Sequence, residues 1–221
     1  MMYNVFGTGS MYYPYFKTLF DYIGALVLLL LLSPVIIFTS LLLMIQNRGT
    51  PFFLQERNGK NEEVFRVIKF KTMTDETDEN DKLLPNSERL TPLGRIIRKT
   101  SIDELPQLFN ILKGDMSFIG PRPLPVRYLP FFTEEERKRF KIKPGISGLA
   151  QVSGRNLVHW DKRLRLDVKY VNKLTFKMDL KIFFKTIKNI IFRENLVVDP
   201  TAKMVDLDEL RKQRNKTKAS I

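Results

Sequence analysis

No charged residue interrupts the chain between Tyr22 and Ile45. As one helix that stretch would measure about 36 Å, against a hydrocarbon core of about 30 Å. The runs 28–32 and 35–38 leave no polar face, so a membrane element fits better than a helix buried in a soluble core. A cleavable signal peptide fits poorly. The stretch is too long, only Lys17 against Asp21 precedes it, and no small-residue cleavage site follows. Ser33-Pro34 lies near its centre. Pro34 has no N–H, and its ring clashes with the Leu30 carbonyl. Ser33 can return its hydroxyl to a carbonyl freed one turn back. From these residues alone, a mildly kinked spanning helix and a sharp break that returns the chain to its entry face are equally good readings.

Beyond Arg48 the pattern changes. Short apolar-polar alternations predict strands at 51–55 and 64–70, with Asn58-Gly59 as a turn between them. The polar, acidic stretch 74–89 predicts a mobile surface loop. Thr91-Pro92 is a helix start, with Thr91 as cap, and that helix runs to about Lys99. Ser101-Ile102-Asp103-Glu104 has the spacing of a capping box opening a second helix, which Gly114 stops. Thr133 with three following glutamates opens another helix. The glycine-rich stretch 143–156 reads as a looped connection, and Asp179 as the cap of a helix running to about Phe192. In that helix Lys177, Lys181, Lys185 and Lys188 fall near one face and isoleucines and phenylalanines elsewhere, which suits a helix lying in a membrane interface. Tyr128 to Phe132 is a second candidate for such docking. Beyond Arg193 the chain is polar and predicts a poorly ordered tail.

Composition narrows the chemistry. The chain has 221 residues, with 37 Lys and Arg against 24 Asp and Glu, a net charge of +13. An anionic partner follows: nucleic acid, anionic lipid or a phosphorylated small molecule. With no cysteine and the single histidine His159, disulfide and thiolate chemistry are excluded, and a metal would be held by oxygen ligands, which favours Mg²⁺ or Mn²⁺.

Asp103 and Glu104 carry the strongest chemical signal. Spacing alone favours plain helix capping. Their surroundings shift the balance. Arg98 and Lys99 precede them, and Gly120-Pro121-Arg122-Pro123 follows, where two prolines hold an arginine in a stiff backbone. Arg122 can present a preorganised fork to a phosphate. A carboxylate held among phosphate-binding groups is what nucleophilic attack on phosphorus needs. Lys69 and Lys71 share one face of the second strand. Arg155, in the glycine-rich stretch, is a further possible charge partner for phosphate, and His159-Trp160 reads as structural or interfacial.

Five motifs occur in order: Ser33-Pro34 in the apolar helix, Lys69-Phe70-Lys71-Thr72-Met73, Ser101 to Gln107, Gly120 to Pro123, and Lys143-Pro144-Gly145. Over about residues 15 to 195 the chain resembles the bacterial sugar transferase family, or monotopic phosphoglycosyl transferases, and most of all small single-domain members such as the diacetylbacillosamine-phosphate transferase. The resemblance implies a fold that is mainly α with a short β-hairpin. It places a re-entrant membrane helix in residues 1–47, a cytoplasmic catalytic domain with interfacial amphipathic helices in 48–195, and a tail in 196–221. It also implies attack of Asp103 on the β-phosphate of a UDP-sugar, release of UMP, and transfer of the phosphosugar to polyprenyl phosphate at the bacterial inner membrane. Glu104 then helps bind Mg²⁺, while Lys69, Arg98 and Arg122 form the charged surroundings. The partners implied are a UDP-sugar, polyprenyl phosphate and membrane lipids, and no nucleic acid. One departure is Lys71, where many relatives carry arginine; the charge is kept.

Overall fold

In the computed structural model, which describes residues 12–154, 159–192 and 205–219, a long helix lies along a mainly helical body. The long helix is α1 (Lys17–Asn47), the one helix among the described residues long and apolar enough to cross a membrane. It is followed by an antiparallel hairpin of β1 (Phe52–Asn58) and β2 (Val64–Phe70), paired from Phe52↔Phe70 to Asn58↔Val64. Next come α2 (Asn86–Arg89), α3 (Pro92–Lys99) and α4 (Gln107–Lys113). Then follow β3 (Ser117–Ile119), α5 (Glu134–Arg137), β4 (Gly145–Ser147) and α6 (Leu149–Val152). The last three helices are α7 (Trp160–Asn172), α8 (Phe176–Ile191) and α9 (Leu207–Ala219).

Helix α1 is not free of the body. Lys17, Asp21, Ala25, Ile36, Thr39 and Leu43 are buried, at spacings that keep them on one face. Leu29 and Leu32 bridge the middle of that stripe by packing on the hairpin and α3. Both ends are tied down. Lys17 Nζ meets Asp179 of α8 at 2.7 Å, and Asp21 accepts from the Phe118 amide at 3.1 Å. At the other end the Asn47 amide donates to the Lys71 carbonyl at 3.0 Å. The helix continues through Pro34. The Ser33 hydroxyl donates to the Leu30 carbonyl at 2.8 Å, the carbonyl that proline leaves without a donor.

The hairpin, the α3 start at Thr91 and the α4 stop at Gly114 stand as the sequence predicts. Thr91 Oγ1 accepts from the Gly94 amide at 2.9 Å, and Gly114 takes a positive φ of 86°. Several expectations are corrected. β1 runs on to Asn58, three residues past its predicted end. The stretch after Lys143 is not simply a loop. β4 pairs in parallel with β3, and the backbones approach so closely that a Cβ on Gly145 would lie 2.1 Å from the Gly120 nitrogen. Asp179 does not cap α8. Thr175 does, accepting from the Met178 amide at 3.2 Å, while Asp179 is buried against Lys17 and the Tyr170 hydroxyl. Tyr128 and Phe132 are not an interfacial anchor. They lie in a core with Trp160, Leu164 and Leu207.

The tail expectation also fails for residues 205–219. α9 packs through the buried Leu207, Trp160 Nε1 donates to the Val205 carbonyl at 2.8 Å, and Arg211 meets Glu136 at 2.6 Å. The rest of the predicted tail before residue 205, like Arg155, lies outside the described residues. The acidic stretch is the expected exposed surface segment, irregular up to α2 and held by local hydrogen bonds. Asp78 Oδ1 accepts the Asn80 and Lys82 amides, and Arg89 Nε donates to the Thr74 carbonyl at 2.7 Å.

Candidate active site

Asp103 and Glu104 do not open an α-helix. Ser101 takes a positive φ of 57° and makes no side-chain cap. Pro106 has no N–H to offer the Ile102 carbonyl, so the chain closes a tighter turn instead, with Glu104 N to Ser101 O at 3.2 Å and Leu105 N to Ile102 O at 3.0 Å. α4 begins only after Pro106. The expected reach of Glu104 back to a cap is thereby lost, and its carboxylate turns into a cleft of about 840 Å³.

That cleft collects Lys69, Arg98, Asp103, Glu104 and Arg122, the residues picked out for catalysis and phosphate binding apart from Arg155. Glu104 Oε1 accepts from Lys69 Nζ at 2.8 Å and from Arg122 Nη2 at 3.3 Å. Arg98 is aimed by its Nε, which donates to Thr72 Oγ1 at 2.8 Å. Gly94 matters here, because a Cβ would lie 2.1 Å from the Thr72 carbonyl oxygen and push α3 off the segment that follows β2. Lys71 instead pairs with Asp75. Asp103 makes no hydrogen bond or ion pair to any described residue, so both its oxygens are available to a ligand. On the other wall Leu28 and Leu32 of α1, one residue short of Ser33-Pro34, line the same cleft.

The two carboxyls are driven apart in acidity. Burial, with the charge of Glu104 beside it, raises Asp103 to about 6, against the pull of Lys69, Arg98 and Arg122. Burial also opposes ionisation of Glu104, but Lys69 and Arg122 overcome it and hold that carboxyl well below its usual range. Among the described residues no group of three or more acidic or histidine side chains forms a metal cage. A hard divalent cation nevertheless fits Asp103 and the second oxygen of Glu104, since Mg²⁺ typically takes one or two carboxylates and completes its shell with phosphate oxygens and water.

The sequence reading passed over several contributors. Phe53, Gln55 and Arg57 alternate along one face of β1 and line the cleft, as does Arg163 of α7. Strand alternation could have found Arg57, and the four-residue spacing of Arg163 and Asp167 on one helix face could have found Arg163. Arg139 and Asp167 form a buried pair at 2.9 Å, and Arg139 Nη2 also holds the Arg122 carbonyl at 2.7 Å, fixing the loop that carries Arg122. His159 is exposed and precedes α7, while its neighbour Trp160 is core.

A family model described as bacterial sugar transferase matches residues 12–193. The chain belongs to that family. The chain is 47% identical over 180 residues to the uncharacterized sugar transferase EpsL of Bacillus subtilis, covering 81% of this chain and 89% of that one. It is 39% identical over 193 residues to the undecaprenyl-phosphate glucose phosphotransferase of Komagataeibacter xylinus, and 37% over 197 residues to the undecaprenyl-phosphate galactose phosphotransferase of Salmonella typhimurium. Each of those two alignments covers 81% of this chain. The sugar transferase spans only 36% and 41% of their lengths.

Proposed function

We propose that this sugar transferase is a small single-domain phosphoglycosyl transferase. It moves a sugar-1-phosphate from a UDP-sugar to polyprenyl phosphate, the first membrane step of glycoconjugate assembly. The observation that carries the reading is the Asp103 carboxylate. It stands unpartnered in a cleft lined by Lys69, Arg98 and Arg122 and, from the long apolar helix, by Leu28 and Leu32. A water-soluble diphosphate and a lipid-borne phosphate can both reach such a carboxylate. Two relatives named as undecaprenyl-phosphate phosphotransferases support the substrate classes.

In this mechanism Asp103 is the nucleophile, and the phosphosugar is held on it between two half-reactions. Glu104 anchors Lys69 and Arg122 and, with Asp103, would hold Mg²⁺. The cation would offset the repulsion between a carboxylate and a diphosphate. Lys69, Arg98 and Arg122 bind and orient the phosphates. No motif selects among the hexose and amino-sugar donors. The re-entrant reading of α1, with the domain on the cytoplasmic face of the inner membrane, is supported by the stripe that ties the helix to the body from Lys17 to Asn47.

The test is a lipid-free incubation with Mg²⁺ and labelled UDP-sugars. UMP release and label retained on a peptide containing Asp103 are expected. Release of UDP would point to a direct glycosyltransferase instead. No release with any donor or acceptor would leave a non-catalytic anion-binding module.

A further inference from the structure

The region matched by the family model ends at residue 193, and residues 205–219 lie beyond it. Separate elements of the catalytic body nevertheless meet on them. Tyr128, in the 3₁₀ turn Val126–Phe131 that follows the Arg122 loop, donates its hydroxyl to Asp206 at 2.9 Å. The neighbouring Arg127 pairs with Asp206 and, through Nε, with Asp208 at 3.5 Å. Trp160, at the start of α7, donates its ring N–H to the Val205 carbonyl and lies edge-on to Tyr128 at 5.5 Å. Arg211 joins α5 to α7 by pairing with Glu136 at 2.6 Å and Asp161 at 3.5 Å. Leu207 is fully buried in one core with Leu124, Tyr128, Phe132, Phe140 and Trp160.

Two routes lead from this segment to Arg122. The first is the backbone. Prolines at 121, 123 and 125 fix φ at every second residue, so that stretch moves as a stiff unit. A displacement at Tyr128 is therefore passed on to Arg122 rather than absorbed between them. The second route is Arg139, whose guanidinium holds the Arg122 carbonyl at 2.7 Å. It stacks over Phe132 at 5.5 Å and Phe140 at 5.3 Å, two rings of the core that Leu207 completes. Arg122 has little slack at its other end. Its Nη2 lies 3.3 Å from Glu104 Oε1, long for a charge-assisted bond. Stability is a poor explanation for the Asp206 contacts, because Arg127 is well exposed and a pair of that kind contributes little.

We propose that residues 205–211 are a strap that sets the position of Arg122, with Asp206 as its positioning residue. Asp206 does not line the cleft. It acts through Tyr128 and Arg127 on the backbone that carries Arg122. The inference deepens the proposed function, since it rests on Arg122 binding a phosphate of the donor.

Two measurements on the full chain in nanodiscs test it. The first is amide hydrogen exchange without substrate. Asp206→Ala is expected to speed exchange at the Arg122 and Leu124 amides and in the turn 126–129, and to leave α3 unchanged. The second is single-turnover UMP release. Asp206→Ala should slow it about tenfold, the effect of a displacement of under about 1 Å at a phosphate-binding group. In an Arg122→Lys background the same substitution should cost less than about twofold, because the group it positions is already altered. Asp206→Asn keeps an oxygen for the Tyr128 hydroxyl and should recover most of the rate. Tyr128→Phe removes only that hydroxyl, and it carries the test if Asp206→Ala fails to fold. Equal losses in the two backgrounds, an unslowed Asp206→Ala enzyme, or exchange at 122–129 that does not change would overturn the strap. A wild-type chain that releases no UMP would sink the transferase reading, while exchange would still decide whether the strap holds Arg122.

Discussion

Asp103 and Glu104 are neighbours in sequence with opposite consequences for stability. A carboxyl whose pKa is raised on folding costs stability once ionised. For Asp103 that cost is absent below its ordinary value of 3.8 and complete above about 6. Glu104 is the reverse. Its folded pKa is depressed, so its contribution is present above the ordinary value of 4.5 and is lost as pH falls through the lower folded value. At pH 7.5 Asp103→Asn should therefore abolish turnover and yet raise the melting temperature. Glu104→Gln should lower it, because Lys69 and Arg122 lose a charged partner, a loss of about 2 kcal/mol. Thermal unfolding of the two variants in one detergent decides this, and a less stable Asp103→Asn protein would contradict it. The same linkage sets the pH profile. Single-turnover UMP release should rise with pH as Asp103 ionises, with its inflection at or below about 6, since Mg²⁺ held beside Asp103 would lower it. In Glu104→Gln the inflection should move to lower pH, since the like charge beside Asp103 is gone. The five charged site residues were legible because each sits in or beside a local motif, such as the prolines around Arg122. Strand alternation and helix-face spacing mark Arg57 and Arg163 in the sequence, but only the tertiary contacts between β1, the Arg122 loop and α7 bring them to the same cleft.

Single elements were read well where the local signal had no competitor, as with Thr91-Pro92 and the hairpin. They were misread where one residue vetoed the pattern. The capping-box spacing at Ser101 was real, but Pro106 forbids the helix it would open. Asp179 had the look of a cap, and Lys17, 162 residues away, took it instead. The same long-range pair bears on the topology of α1. A straight crossing needs about 20 residues clear of the domain, yet no such interval lies between the contacts at Ala25, Leu29, Leu32 and Ile36. Single cysteines at Asn4 and Asn61 should therefore both react with an impermeant thiol reagent only from the cytoplasmic side, a clean measurement in a chain with no native cysteine. Labelling from opposite sides would show that α1 crosses. Pro34→Ala restores an N–H to the Leu30 carbonyl, and it should raise the fraction labelled from opposite sides.

On the scale of the whole molecule, much of the exposed apolar surface lies on two helices. On α1, Leu30, Leu31, Phe38 and Ile45 are exposed; on α8, Phe176, Phe183, Phe184 and Ile191 are, with Phe192 just past its end. The two surfaces meet where the Phe20 and Phe176 rings lie 6.2 Å apart, so they form one continuous face rather than two patches. Exposed apolar area on that scale marks a membrane contact, and the exposed Lys177, Lys181, Lys185 and Lys188 suit anionic head groups. The roles of the two helices differ. α1 is long and apolar enough to cross a membrane, whereas α8 contributes Thr186, Asn189 and Ile190 to the lining of the cleft and so couples its apolar face to the site. Replacing Phe183 and Phe184 together by serine should therefore leave the protein in the membrane fraction and leave lipid-free UMP release intact, because neither ring lines the cleft. Turnover with long-chain polyprenyl phosphate in anionic nanodiscs should drop about tenfold, while turnover with a short, detergent-soluble acceptor should change little. An equal loss in UMP release would mean that α8 supports the catalytic frame rather than its docking on the bilayer.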